Sequence, residues 1–274
     1  ALTSGEFSPD EHATDRVLVG PVKLVADGSI QGYTGYLSQP YHVPFHGDAD
    51  YRGYPSIPRE KLFTRVEQLH KAGYQLAIHG NGDQSIQDIL DAFEAAQAAY
   101  PVEDPRLILI HSQMAREDQV ARMKDLGVTP SFFTSHTWYW GDRHRDIFMG
   151  PERAATISPH GWAQQYGVRD TSHLDTPVVP MQPLQAVWSQ VHRITFGGDV
   201  LGPEQRISVM DALRSVTIDA AWQVFQEDNR GSIEPGKFAD FVVLSGNPLD
   251  DPMNMRSLKV DRTVIGGVTH YRRQ

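Results

Sequence analysis

The chain has 274 residues, of which 40% are hydrophobic and 22% charged, with a net charge of -9 and no cysteine. That length holds one large domain or one domain with a small satellite, and the acidic balance argues against a binder of nucleic acid or of anionic membranes. Without cysteine there is neither a disulfide nor a thiolate metal site, so any metal must be held by His, carboxylate or a modified Lys.

No apolar run is long enough to span a bilayer. The opening ALTSGEFSPD has neither an initiator Met nor a hydrophobic stretch, which reads as the absence of a signal peptide and as the start of a processed product. Composition leaves cytoplasm and periplasm equally open.

In chain order, the first expected strand lies around Lys23, in Val22-Lys23-Leu24-Val25-Ala26-Asp27-Gly28. Pro58 suits the first position of a helix, with Leu62, Val66 and Leu69 at helical spacing and Gly73 as the stop. A short apolar strand over 74–78 follows and finishes at His79. A second helix carries Ile86, Ile89, Leu90 and Phe93 on one face, and a second strand over 107–110 finishes at His111. A third helix with Val120, Met123 and Leu126 stops at Gly127 and leads into a strand over 128–133. Helices alternating with nearly continuous apolar strands predict an α/β fold with a parallel, helix-covered sheet.

Residues 134–170, rich in Trp, Arg, His and Asp, read as an active-site loop or lid. Ser208 and Asp211 suggest a capping box for a helix with Val209, Leu213, Val216 and Ala220. Beyond about residue 229, Gly231, Pro235 and Gly236 make turns, Phe241 to Leu244 is a strand, and 262–271 is a hairpin turning at Gly266-Gly267. The expected division is therefore 1–228 and 229–274, the second a small β-element beside the first.

The polar residues with chemical potential sit at strand ends, the active-site face of a (β/α)8 barrel. Lys23 is either an edge lysine paired with Asp27 or a lysine carboxylated by CO2, whose carbamate can bridge cations. His79 and His111, imidazoles at the mouths of successive units, can reach one ion. Asp175, in His173-Leu174-Asp175-Thr176-Pro177, is either a ligand and proton acceptor or a turn residue. Asp199, in Gly-Gly-Asp, is a rival carboxylate that reads as a loop residue. The stretch from Ser135 to His144 offers His136 to polarise a carbonyl, with Trp138, Trp140 and His144 as substrate-pocket walls, or a lid packed by its own aromatics.

Taken together, VKLVADGS around Lys23, AIHGNGD around His79, LIHSQ around His111, LDTPVVPMQPL around Asp175 and GSIEPGKFADFVVLSGNPL from Gly231 resemble the amidohydrolase superfamily, in its family 3 branch. The resemblance implies the C-terminal part of a distorted (β/α)8 TIM barrel and part of a composite β-sandwich. It implies hydrolysis of carbon-nitrogen bonds other than peptide bonds in a small amide-type substrate. It makes Lys23, His79, His111 and Asp175 metal ligands, Asp175 and His136 catalytic, and the cofactor one or two divalent ions, zinc above others, with Lys23 carboxylated. The family's His-x-His at the end of its first barrel strand has no counterpart in this sequence. A whole barrel takes about 250 residues, so the expected partner is an N-terminal remainder, or another copy in a homo-oligomer. The competing reading is a non-catalytic assembly or binding module that keeps the fold.

Overall fold

The computed structural model describes residues 11, 13, 14 and 17–274. Five parallel strands lie side by side in sequence order: β1 (Val22–Val25), β2 (Leu76–Gly80), β3 (Leu107–His111), β4 (Val128–Phe132) and β5 (Thr171–Ser172). The crossovers are helical, through α1 (Arg59–Lys71), α2 (Asp83–Ala99) and α3 (Glu117–Leu126). The expected α/β architecture is present, with Lys23 on β1.

Side-chain alternation divides the sheet. Leu76 and Ile78 of β2, Leu107 and Leu109 of β3, and Val128 and Phe132 of β4 share one buried cluster with Val66, Ile86, Ile89, Phe93, Val120 and Met123 of the helices. Burying each such side chain stabilises the fold by about 1.5–3 kcal/mol, which fixes the register, because a one-residue slip would turn this whole set to the other face. The register matches Lys23 with Ala77, Val25 with His79, His79 with Ile110, and Ser131 with Thr171. The face away from the helices therefore carries Lys23, Val25, Ala77, His79, Ile110, Ser131 and Thr171. Lys23 and Val25 are exposed there.

Residues 134–170 are not a loop. They form α4 (His136–Arg143), a π-helical turn (His144–Phe148), α5 (Pro151–Ala155) and α6 (His160–Gln165). Pro151 and Gly150 punctuate the segment, and each helix is too short to display an apolar period. Downstream, α7 (Pro183–His192) leads to α8 (Val209–Ser215) and α9 (Ile218–Gln223). The continuous helix expected from Val209 to Ala220 breaks at Thr217, whose backbone leaves the helical region (φ -127°, ψ -95°). Its start is capped as expected, with Ser208 Oγ accepting from Asp211 N at 3.1 Å.

A separate antiparallel sheet contains β6 (Phe241–Leu244), β7 (Val260–Ile265) and β8 (Val268–Arg272). The hairpin turns at Gly266 and Gly267, both at positive φ (56° and 80°), the type I′ geometry that matches strand twist. Every residue of β8 is exposed. Among the described residues no helix is long and apolar enough to cross a membrane.

One buried charge ties the helical segments together. Arg193, fully buried at the end of α7, donates to the carbonyls of Leu201 (2.7 Å), Ser158 (3.2 Å), Ala155 (3.4 Å) and Ile157 (2.7 Å). A lysine cannot span these acceptors. Arg193→Lys should therefore destabilise the protein by at least about 3 kcal/mol, the cost of stranding two or more buried carbonyls. Urea denaturation measures it, and a loss below about 1 kcal/mol would show that water replaces the guanidinium.

Candidate metal centre

His79 is the last inward-facing residue of β2. Its Nε2 lies 2.9 Å from the carbonyl oxygen of Gly28, which also accepts from Asn81 Nδ2 at 2.7 Å. Nε2 also stands 3.0 Å from Asn81 Nδ2; with its proton on Nε2, donated to the Gly28 carbonyl, the ring leaves Nδ1 with its lone pair.

His111 arrives by an irregular route. It pairs with Gly80, which by alternation would send it to the helix-covered face with Leu107 and Leu109. Left-handed φ values of 72° at His111 and 45° at Ser112 turn the chain instead, at a conformational cost of about 1–3 kcal/mol per residue. His111 Nε2 then stands 2.9 Å from His79 Nδ1, and His111 Nδ1 stands 3.0 Å from His173 Nε2. His173, just beyond β5, reaches Ser131 Oγ with Nδ1 at 3.0 Å. Read as donors, His111 Nδ1–H binds His173 Nε2 and His173 Nδ1–H binds Ser131 Oγ. In that tautomer His111 Nε2 has no proton and faces Nδ1 of His79; in the reverse one the Ser131 hydroxyl donates and His111 Nε2–H binds His79 Nδ1.

The two nitrogens, 2.9 Å apart, share a proton as a hydrogen bond in one tautomer of the chain and present two lone pairs to a cation in the other. Two imidazoles on one tetrahedral zinc would stand about 3.3 Å apart, so small ring movements separate this arrangement from a ligand pair. The donor set fits a divalent ion.

The surroundings keep the rings neutral. Burial first, then neighbouring His173, His79, His136 and Lys23, holds His111 well below the usual histidine range. Burial lowers His79 too; the Gly28 bond and the Asp175 carboxylate oppose this, and the Lys23 ammonium adds to it. Burial, helped by Lys23 and His79, pushes His173 down to about 3.

Of the expected ligands, His79 and His111 are in direct contact. Lys23 and Asp175 act on His79 through their charge. Asp175 sits exposed in the turn after β5 at a positive φ of 51°. Among the described residues no three His, Asp or Glu side chains close on a common ion position. Lys23 is not paired with Asp27. That carboxylate is buried, accepts from Tyr36 N (2.9 Å), Asn81 N (2.9 Å) and Gly82 N (2.8 Å), and is pushed up to about 7 by burial. Asp199 is exposed and occupied by Arg145 at 2.7 Å.

His136 opens α4 beside this cluster, its ring 4.1 Å from Phe133, 5.1 Å from Trp140 and 5.8 Å from His144. Its Nδ1 is buried without a partner. Trp140 and His144 share its helix face. Trp138 does not, and its expected place in the substrate pocket is corrected. Two residues along a helix is about half a turn, so its ring packs instead on Trp188 and Phe196, each at 5.4 Å, under Arg256. His173, Ser131, Asn81 and Asp27 did not emerge from the sequence. For His173 the signal was present: it stands two residues before Asp175, at the same strand parity as Thr171.

The amidohydrolase family model matches residues 3–271. The chain belongs to the amidohydrolase family. It is 33% identical over 262 residues to the N-substituted formamide deformylase of Arthrobacter pascens, a match covering 94% of this chain and 48% of that protein. It is 32% identical to Protein LONG AFTER FAR-RED 3 of Arabidopsis thaliana, over 92% of this chain and 43% of that protein. Among solved structures, an uncharacterized metal-dependent hydrolase from Pyrococcus horikoshii superposes with a TM-score of 0.74 at 27% identity, covering 94% of this chain and 48% of the other. The chain spans about half the length of the curated relatives it matches. The five parallel strands are thus part of the TIM-barrel fold of such metal-dependent hydrolases.

The imidazole cluster makes this amidohydrolase acid-sensitive. Burial pushes His144 from 6.5 down to about 3. Between those values the unfolded chain binds a proton that the folded chain refuses, so stability falls as pH drops from about 6.5 towards 3. This residue contributes a slope approaching about 1.4 kcal/mol per pH unit. His144→Gln, which can still accept from Gln113, should flatten the fall by that amount in urea titrations at pH 7, 6 and 5. An unchanged slope would mean that His144 is protonated in the fold.

Proposed function

We propose that this chain is the C-terminal half of a metal-dependent hydrolase that cleaves carbon-nitrogen bonds other than peptide bonds, with small N-substituted formamides or related amides as substrates. Residues 1–228 belong to its barrel and 229–274 to its β-sandwich. The reading is carried by one observation: His79 Nδ1 and His111 Nε2 stand 2.9 Å apart at the mouth of a parallel sheet. The named activity of the Arthrobacter pascens relative supports the formamide class.

His79, His111 and a carboxylated Lys23 would hold a divalent ion, zinc suiting the nitrogen ligands. A bound ion would polarise the amide carbonyl and lower the pKa of water. The chain's own groups do the rest. His173 takes the Nδ1 proton of His111 as a hydrogen bond and keeps that ring in the ligating tautomer. Asp175, exposed at the rim, accepts a proton on its carboxylate from the attacking water and returns it to the departing nitrogen. His136, held neutral by burial, offers the carbonyl oxygen a hydrogen bond rather than a charge. The free edge of β1 and the face carrying Lys23 are completed by the remainder of the barrel or by a second copy.

In the full-length protein, metal analysis should find one or two divalent ions, and formate should be released from N-alkyl or N-aryl formamides. His79→Ala and His111→Ala should each lose the metal and at least about 1000-fold in kcat/KM, because the nucleophile depends on it. His173→Ala should weaken metal binding by about 10–100-fold. A full-length protein that binds no divalent metal and cleaves no carbon-nitrogen bond would favour the non-catalytic binding module.

A further inference from the structure

A second polar chain lies one layer behind the histidine cluster, and no step proposed above uses it. Thr134 Oγ1 meets His160 Nε2, and His160 Nδ1 meets Asp170 Oδ2. With the carboxylate accepting from Nδ1–H, Nε2 is placed to accept the Thr134 hydroxyl proton. Residue for residue this is the order hydroxyl, imidazole, carboxylate found in nucleophilic triads. Burial excludes that role: Thr134 and His160 are both 0% exposed, so the hydroxyl has no path to a substrate.

Its location gives it another. Thr134 lies in the turn that carries β4 into α4, where His136 N binds Phe133 O and Thr137 N binds Thr134 O, each at 3.0 Å. Asp170 immediately precedes β5, which leads to His173 and Asp175. His160, the first residue of α6, spans the gap and lays its ring edge-on against Phe132 at 4.6 Å. Phe133, next to Thr134, is wedged between His136 (4.1 Å) and His173 (5.3 Å). The two ends of the chain are thus the two backbones whose spacing determines how His136 stands against His173.

We propose that His160, through Thr134 and Asp170, is a positioning residue that fixes His136 relative to His173 and so aligns the carbonyl-binding group with the metal pair. Its catalytic consequence rests on the hydrolase reading given above; its geometric consequence does not. Thr134→Val keeps the side-chain shape and removes the hydrogen bond, and Thr134→Ser keeps the hydrogen bond. In the full-length protein, Thr134→Val should shift the imidazole nitrogen resonances of His136 and His173 and leave those of the remote His270 unmoved. Metal content should be unchanged, and kcat should drop about tenfold or more, since small misplacements of reacting groups carry penalties of that order. Thr134→Ser should return both readouts to wild type. Unmoved His136 and His173 resonances in Thr134→Val would overturn the proposal. So would a Thr134→Val protein with wild-type kcat per bound metal whose only change is a lower melting temperature. If the full-length protein cleaves no carbon-nitrogen bond, the hydrolase reading fails, and the resonances alone decide whether the chain positions His136.

Discussion

The Gly28 carbonyl can only accept a hydrogen bond, and much of the candidate centre follows from that. It holds the proton of His79 on Nε2 and leaves Nδ1 bare. From the other side, Ser131 Oγ, His173 and His111 form a hydrogen-bonded chain that ends 2.9 Å from His79 Nδ1. Groups at the sheet's periphery therefore bring two imidazole nitrogens face to face. The sheet's alternation provides the means: Ser131 and Thr171 face the same side as His79 because the hydrophobic set of β2, β3 and β4 must face the helices.

His111 departs from that alternation, and the departure is informative. A regular strand would bury it among leucines, where an imidazole would cost its unmade hydrogen bonds. Left-handed backbone at His111 and Ser112 avoids that burial and places the ring opposite His79. Strain of this kind persists only when the surroundings over-determine it. Here the strand pairing fixes the approach from one side. On the other, Ser112 Oγ reaches back to Leu109 O at 3.0 Å.

The parallel strands were legible because each is a nearly unbroken apolar run, and His79 and His111 were legible because they terminate two of them. The hairpin at Gly266-Gly267 was legible because its turn needs positive φ at two consecutive positions. The helices of 134–170 were not, since none is long enough to repeat an apolar face and the composition is that of a loop. The break at Thr217 was hidden because the apolar spacing continues across it, while Thr217 Oγ1 caps the preceding turn at Leu213 O instead (2.7 Å). The packing of Trp138 on Trp188 is not legible because composition does not say which side of a helix meets the site. His173 is hard to read because Asp175, two residues on, is the more conspicuous group of the same motif.

Charge decides how the centre could be completed. Neutral imidazoles supply electron pairs but cannot neutralise a divalent ion in a buried place, so anions must come from nearby. Asp175 favours positive charge at His79, whereas Lys23 as an ammonium opposes it at His79, His111 and His173 alike. An ammonium in that position works against any cation between the histidines. Under the proposed reading, carboxylation would reverse that sign and turn an opponent of the ion into a ligand. Lys23 is exposed on the face of β1 that His79 shares, within reach of dissolved CO2, so whatever covers the free edge of β1 would also bear on the charge balance of the histidine pair.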